Sequence, residues 1–508
     1  MPVPSTSAVR RAPAAAGLLA ALLVANFGHA AQSRSAQDAD TTTPAQAAGC
    51  PRPAGVQALA QALVDESLAN NAEMKGVQAT VAQRVAALDA ARAHYLPAID
   101  FQMRYTRADG GRQIDLPVGD LLNPVYSTLN DLLQAAGKPA QFPQIKNESI
   151  PLLRPHEQDT SLRLTQPLFD MRVSAGVRGR EAELRASNQE MQAFRSRLTR
   201  DVHQAYYRWL RARQSARILD VTVELAEANL KVNESLSRNG KITPDLVLRA
   251  EADLLEIQQA HLAVQNGVRL AQAYVNLLRN LPMDEPLPET DVCDADVEAA
   301  RTRLLHDTGA AEFALPAMQG MAEKRRAELA RLDAALDAAK AGEDLVRARL
   351  SPQLALAVDA GIQGENYDFG GDAPYMMASL VLRFNTFNGG GDIAALNEAR
   401  AVTAQLRAAR AQAVQGIGME VLDALQVFDV AYVSLRTAEK RVAAVEGAFA
   451  IAEKKRDLGQ INQTEFIDAR RSLTDARLNR NMTRFAALSQ LAELEYAVGG
   501  TIPTEEKP

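Results

Sequence analysis

The chain has 508 residues, 47% of them hydrophobic but only 5% aromatic, with a single tryptophan. Large side chains are too few to fill several thick globular cores, which points to long helices packed through small residues. The 56 Lys plus Arg and 62 Asp plus Glu are interspersed, and a net charge of −6 without a basic face or tail excludes a nucleic-acid binder that works by neutralising phosphates.

At the N-terminus Arg10 and Arg11 precede a small, apolar run over residues 12–27, with Gly28 and Ala30 as the small residues of a cleavage site. This layout predicts a secretory signal peptide over residues 1–30, the alternative being a disordered Ala-rich leader. Ala47, Ala48 and Gly49 before Cys50 suggest a lipidation site, but Cys50 stands more than twenty residues past the apolar run it would have to abut. Residues 31–58 read as an N-terminal extension. Downstream no 18-residue apolar stretch occurs, so a membrane span would have to be a closed β-barrel. The only cysteines are Cys50 and Cys293, and in an exported chain such a pair is expected to form a disulfide; two unrelated thiols are the alternative.

A first unit is read over residues 59–280: a helix, two strands at 96–106 and 160–169, and a long hairpin at 171–280. Ile99, Phe101, Met103 and Tyr105 alternate with Asp100, Gln102, Arg104 and Thr106; Leu162, Leu164 and Leu168 share a face opposite Ser161, Arg163 and Thr165. Period-2 alternation suits a barrel wall with apolar residues outward, although a soluble sheet packed on a helix alternates in the same way. Residues 107–159 between these strands are rich in Pro, Asn and Gly, with a possible short helix over 126–136.

The hairpin carries the strongest pattern in the chain. Leu198, Val202, Ala205, Trp209, Ala212, Ala216, Leu219, Val223, Ala226 and Leu230 form a heptad seam. Adding 219 to each position gives Ile417, Val421, Ala424, Phe428, Ala431, Leu435, Ala438, Val442, Val445 and Phe449, all apolar and in the same register. Both ladders end at a glycine, Gly240 or Gly459, followed by Ile242 or Ile461 and a new helix start. Thr243 reads as an N-cap with Pro244 at the first helical position, and Asn462 with Glu465 reads as a capping box. The outgoing arms, about 68 residues each, would reach ~100 Å at ~1.5 Å per residue, too long for a compact globule. A second stripe on Ile218, Val221, Leu225, Ala228 and Val232 implies neighbours on two sides.

Residues 281–316 read as a linker between the copies. Residues 317–500 form the second unit: a helix, strands at 352–362 and 375–387, a hairpin at 389–498, then a tail at 501–508. Leu354, Leu356 and Val358 make one strand face, and Leu380, Leu382 and Phe384 another. Gly389 to Gly391 mark the turn from strand to helix. Four strands cannot close a barrel, so closure requires several chains. No phosphate loop, dinucleotide fingerprint, nucleophile elbow or metal-binding helix motif occurs, and the six histidines are dispersed, so no catalytic residue, metal or cofactor is expected.

The segments Ser161-Leu-Arg-Leu-Thr-Gln-Pro-Leu-Phe169 and Leu380-Val-Leu-Arg-Phe-Asn-Thr-Phe387, the two heptad arms and the glycine-tipped returns together resemble the TolC family of outer-membrane efflux and secretion channels. The resemblance implies a mostly α fold with a β-barrel section. Three chains would share a 12-stranded outer-membrane barrel continuous with a periplasmic α-helical barrel, with residues 281–316 as a belt around it. It also implies a passive exit duct serving a periplasmic adaptor and an inner-membrane pump of RND or ABC type, docked through Gly240, Ile242, Gly459 and Ile461. By position after the tip glycine, Glu465 and Asp468 correspond to the carboxylates that constrict such a tunnel. Leu246 replaces the acidic residue common in the first repeat, with Asp245 one step early, and Ile461 stands where the family has a basic latch residue. A non-channel periplasmic coiled-coil adaptor or scaffold remains the alternative.

Overall fold

A computed structural model describes residues 55–308, 314–366 and 373–500. The expected signal peptide, Cys50 and the C-terminal tail lie outside the described residues. The first copy runs α1 (Val56–Asn70), α2 (Ala72–Ala93), β1 (Ala98–Arg107), β2 (Gln113–Leu116), α3 (Val118–Ala135), β3 (Glu148–Pro151), β4 (His156–Phe169), α4 (Met171–Arg238) and α5 (Pro244–Arg279). After α6 (Asp294–Thr308), the second runs α7 (Leu315–Arg325), α8 (Ala327–Arg347), β5 (Gln353–Gly364), β6 (Pro374–Arg383), α9 (Gly391–Asp457) and α10 (Gln463–Ala497).

The four long strands make one antiparallel sheet in the order β1-β4-β5-β6. Ile99 lies opposite Leu164 and Phe101 opposite Leu162; the row continues through Leu164 with Val358 and Leu356 with Leu380. One face is therefore apolar, and its Ile99, Phe101, Met103, Leu380 and Leu382 are exposed. The opposite face carries Asp100 beside Arg163, which bonds Asp359 at 2.5 Å, and Arg104 with Asp159 at 3.4 Å. Among the described residues of a single chain β1 and β6 each keep one unpaired edge.

Helices leave the sheet from one end. Gly389 and Gly390, at φ of 72° and 85°, make the left-handed turn from β6 into α9 that a side chain would strain. α5 packs along α4 and α10 along α9, as the heptad seams require; Leu198, Val202, Ala205 and Trp209 are buried, as are Val421, Ala424 and Phe428. The short helices complete each arm: α2 and α8 both lie against α4, and α8 also lies against α9. At each junction a side chain ties two helix ends together. Asn71 caps α2 through Met74 N–H at 3.0 Å and donates its amide to Leu278 O of α5; Arg326, at the start of α8, donates to Ala497 O of α10.

The core is concentrated at mid-height, where α1, α6 and α7 wrap the long helices around Tyr206, Tyr207, Trp209, Phe428 and Phe485. Tyr206 donates to Pro288 O at 2.6 Å, pinning the inter-repeat linker to α4. Asp294 at the start of α6 binds both Arg480 and Arg484 of α10. Burial alone would raise this carboxyl, but the two guanidiniums win and hold it below the usual carboxylate range. Residues 281–308 are thus fastened to the helices by charge as well as by apolar contact.

Two local expectations change. α3 spans Val118–Ala135, beginning well before the expected start at 126 and running through Pro124. Its first turn is held from outside: Asn147 Oδ1 accepts the Asp120 N–H, and Asn123 exchanges two hydrogen bonds with Ile145. Thr243 occupies the N-cap of α5 but makes no side-chain capping bond; Pro244, which has no N–H to satisfy, suffices to start the helix.

Candidate functional site

The hairpin tips are built from one device used twice. Gly240 and Gly459 have φ of 66° and 68°, and the next residues close Schellman motifs, Lys241 N–H to Leu236 O at 2.9 Å and Gln460 N–H to Lys455 O at 2.8 Å. Glycine is needed there because any side chain would resist the left-handed turn. Ile242 and Ile461 follow, both half-buried. The tip of the first hairpin carries a groove of about 470 Å³ lined by Glu234, Ser237, Arg238, Pro244, Val247 and Leu248.

Glu465 and Asp468 lie in the first two turns of α10, three residues apart and hence on one face, and both are exposed. Asn462 Oδ1 accepts the Glu465 N–H at 2.8 Å, but the reciprocal bond of a capping box is not made, which leaves the Glu465 carboxylate without a partner among the described residues. Asp245 is exposed in the first turn of α5, and no ion pair or hydrogen bond among the described residues joins it to Glu465 or Asp468. Among the described residues a single chain therefore presents three unpaired carboxylates at its tips without gathering them into one site.

Sequence reasoning missed a second charged feature a few turns inward. Asp253 of α5 and Arg470 of α10 form an ion pair at 2.6 Å with only 5% and 3% of their side chains exposed. Arg471 flanks it, contacting Asp253 at 3.7 Å and Glu256 more closely. Asp253 Oδ2 and Arg470 Nε and Nη1 are buried without hydrogen-bond partners. The pair bolts the returning helix of one hairpin to that of the other. His261 of α5 reaches Asp220 of α4 at 2.7 Å and so is part of the packing.

A third feature was also missed. Leu248, Leu255, Leu262, Leu270 and Leu277 form a row of near-heptad spacing on α5, and all are exposed, Leu270 by 75%. Val221 and Val232 of the second stripe on α4 are exposed as well. Among the described residues no helix is long and apolar enough to cross a membrane, and no group of His, Cys, Asp or Glu converges to hold a metal ion. The acidic tips and buried ion pair, the aligned apolar wall of the sheet and the exposed leucine row stand out among the described residues.

A family model for outer membrane efflux proteins matches residues 153–281, which hold β4 and the first hairpin, and residues 319–500, which hold nearly all of the second repeat. The chain belongs to that family. This efflux protein is 26% identical, over 354 residues covering 67% of it and 72% of the relative, to the pyoverdine export outer membrane protein OpmQ of Pseudomonas putida KT2440. Its fold matches the Campylobacter jejuni outer membrane channel CmeC with a TM-score of 0.69 at 14% identity, over 88% of this chain and 87% of that one. It also matches the Neisseria gonorrhoeae outer membrane channel MtrE with a TM-score of 0.65 at 17% identity, over 87% and 89%. The efflux protein is an outer-membrane channel component with a large periplasmic helical part, and the reading as a non-channel scaffold falls away.

Proposed function

We propose that three copies of this chain form one passive exit duct, closed at the hairpin tips by their carboxylates and docked there to a periplasmic adaptor and an RND or ABC inner-membrane pump. The observation that carries the assembly is the four-stranded sheet with both edges unpaired. In a bilayer each unpaired backbone group costs several kcal/mol, so an open sheet must find neighbours. Three copies supply twelve strands with the apolar face toward outer-membrane lipid and the Asp100, Arg163, Asp359 and Arg104 face toward water.

In such a trimer six carboxylates from Glu465 and Asp468 approach one axis, with Asp245 nearby on the neighbouring hairpins. Their negative field favours cations, and their side chains narrow the aperture, which cations held between them can keep closed. Replacing Glu465 and Asp468 together by alanine is expected to raise single-channel conductance in planar bilayers and to reduce cation preference; unchanged conductance and selectivity would remove them from the gate. Adaptor docking is supported by the groove beside Pro244 and Leu248 and by Ile242 and Ile461 at the tips.

The expected Cys50–Cys293 bridge would tie the exported N-terminus to the belt beside α6, where the Cys293 N–H already bonds Asp296 at 2.7 Å. Mass spectrometry of a non-reduced digest should recover the two peptides joined, and a free thiol at either position would end this reading.

A further inference from the structure

The insert between β1 and β4 is a built subdomain. The β1–β4 ladder continues past the barrel strands through Ala108 N–H to Pro155 O at 3.1 Å and Leu152 N–H to Arg112 O at 2.9 Å into the β2–β3 hairpin, which carries α3. Because α2 enters β1 and α4 leaves β4 at the opposite end, this stalk stands beyond the outer end of the sheet. One side of α3 is satisfied within the insert. Asn130 holds Gln141 and Phe142, Asn123 holds Ile145, and Tyr126 lies against Phe142 with ring centroids 5.3 Å apart.

The other side has no cover among the described residues. Leu121, Val125, Leu129 and Leu132 fall within one ~80° stripe of the helix at ~100° per residue, and they are 70%, 53%, 37% and 63% exposed. The helix is therefore strongly amphipathic with its apolar edge facing out of the protomer. A lipid surface is a poor occupant: helices lying on membranes carry Lys and Arg on their polar face, whereas the charges of α3 are Asp120 and Asp131 alone. Such a helix would be repelled by anionic headgroups. The stalk rises from β1, an open edge of the sheet, so a second copy paired with that edge would lie beside the insert.

We infer that the occupant is the same face of the neighbouring copies: the three α3 helices pack against one another across the outer mouth of the barrel as an apolar collar. This rests on the trimeric barrel proposed above. The dimensions agree. Twelve strands spaced ~4.8 Å apart and tilted ~40° enclose a ring roughly 25 Å across. The 18 residues of α3 extend ~27 Å at ~1.5 Å per residue, in a rod ~10 Å thick. Three such rods can cover that opening, and the collar makes the external end a second constriction, apolar where the tips are acidic.

The test is cysteine cross-linking in the full-length protein in outer membranes. Under mild oxidation Val125→Cys should join two chains of every three into a dimer on a non-reducing gel. Gln134→Cys, exposed on the opposite side of α3, should give a background level. In bilayers, Leu121→Gln with Leu132→Gln should raise conductance about two-fold by wetting the constriction, with cation preference unchanged. A native-size trimer in which Val125→Cys links no better than Gln134→Cys overturns the collar and leaves the trimer standing. If no trimer is recovered from the unmodified protein, the proposed duct fails with it.

Discussion

Asp253 and Arg470 show how a charged pair can be structural in a helix that otherwise carries its charges in water. Taking both groups out of solvent costs several kcal/mol each, and their attraction offsets this only while both are present. Arg470→Ala should therefore destabilise the helical region by about 3–5 kcal/mol, because a buried carboxylate is left without its partner. Asp253→Leu combined with Arg470→Met should recover most of that loss, since apolar side chains of similar size need no such compensation. Urea unfolding followed by helical circular dichroism measures both, and a double variant as unstable as the single one would show that the site has a role beyond charge balance. His203 is the neutral counterpart on α4. Its Nε2 is enclosed without a partner, and burial, assisted by the Arg303 charge, lowers its pKa to about 4, so the ring is uncharged at neutral pH.

Helices were legible where one side faces a partner within the chain and the pattern repeats. The seams from Leu198 and Ile417 fix α4 and α9, and the tip glycines fix where each arm stops, because left-handed backbone admits few alternatives. Glu465 and Asp468 are placed near the tip by their distance from Gly459, while their part in a gate is a proposal. α3 was not legible, because its N-terminal turn depends on Asn147 and Ile145, more than twenty residues away. Nor was the Asp253–Arg470 pair. Its partners lie 217 residues apart, and each reads locally as a residue of a solvated helix face. That separation is nearly the repeat length of 219, so the pair joins almost equivalent positions of the two copies across their pseudo-symmetry. The α5 leucine row escaped notice because the helix carries a better seam, through Ala250, Leu254 and Val275, which packs inside the protomer.

At the scale of the whole molecule, one protomer leaves three kinds of surface unsatisfied among the described residues. The sheet has two open edges, α5 has its leucine row, and α3 has its apolar stripe. Fully burying a leucine is worth about 1.5–3 kcal/mol, so five per chain on α5 are enough to make helical association strong, while the strand edges make it obligatory in lipid. The two contributions separate experimentally. If the α5 row packs against a neighbouring protomer, Leu255→Asp with Leu262→Asp places two carboxylates per chain in that contact without touching the barrel or the internal seam. The trimer should then be lost on native electrophoresis in mild detergent, and the chain should disappear from the outer-membrane fraction, because a lone sheet cannot remain inserted with its edges bare. A trimer that survives both substitutions would show that α5 does not face a neighbour, and a monomer found stably inserted in the membrane would contradict assembly from shared strands altogether.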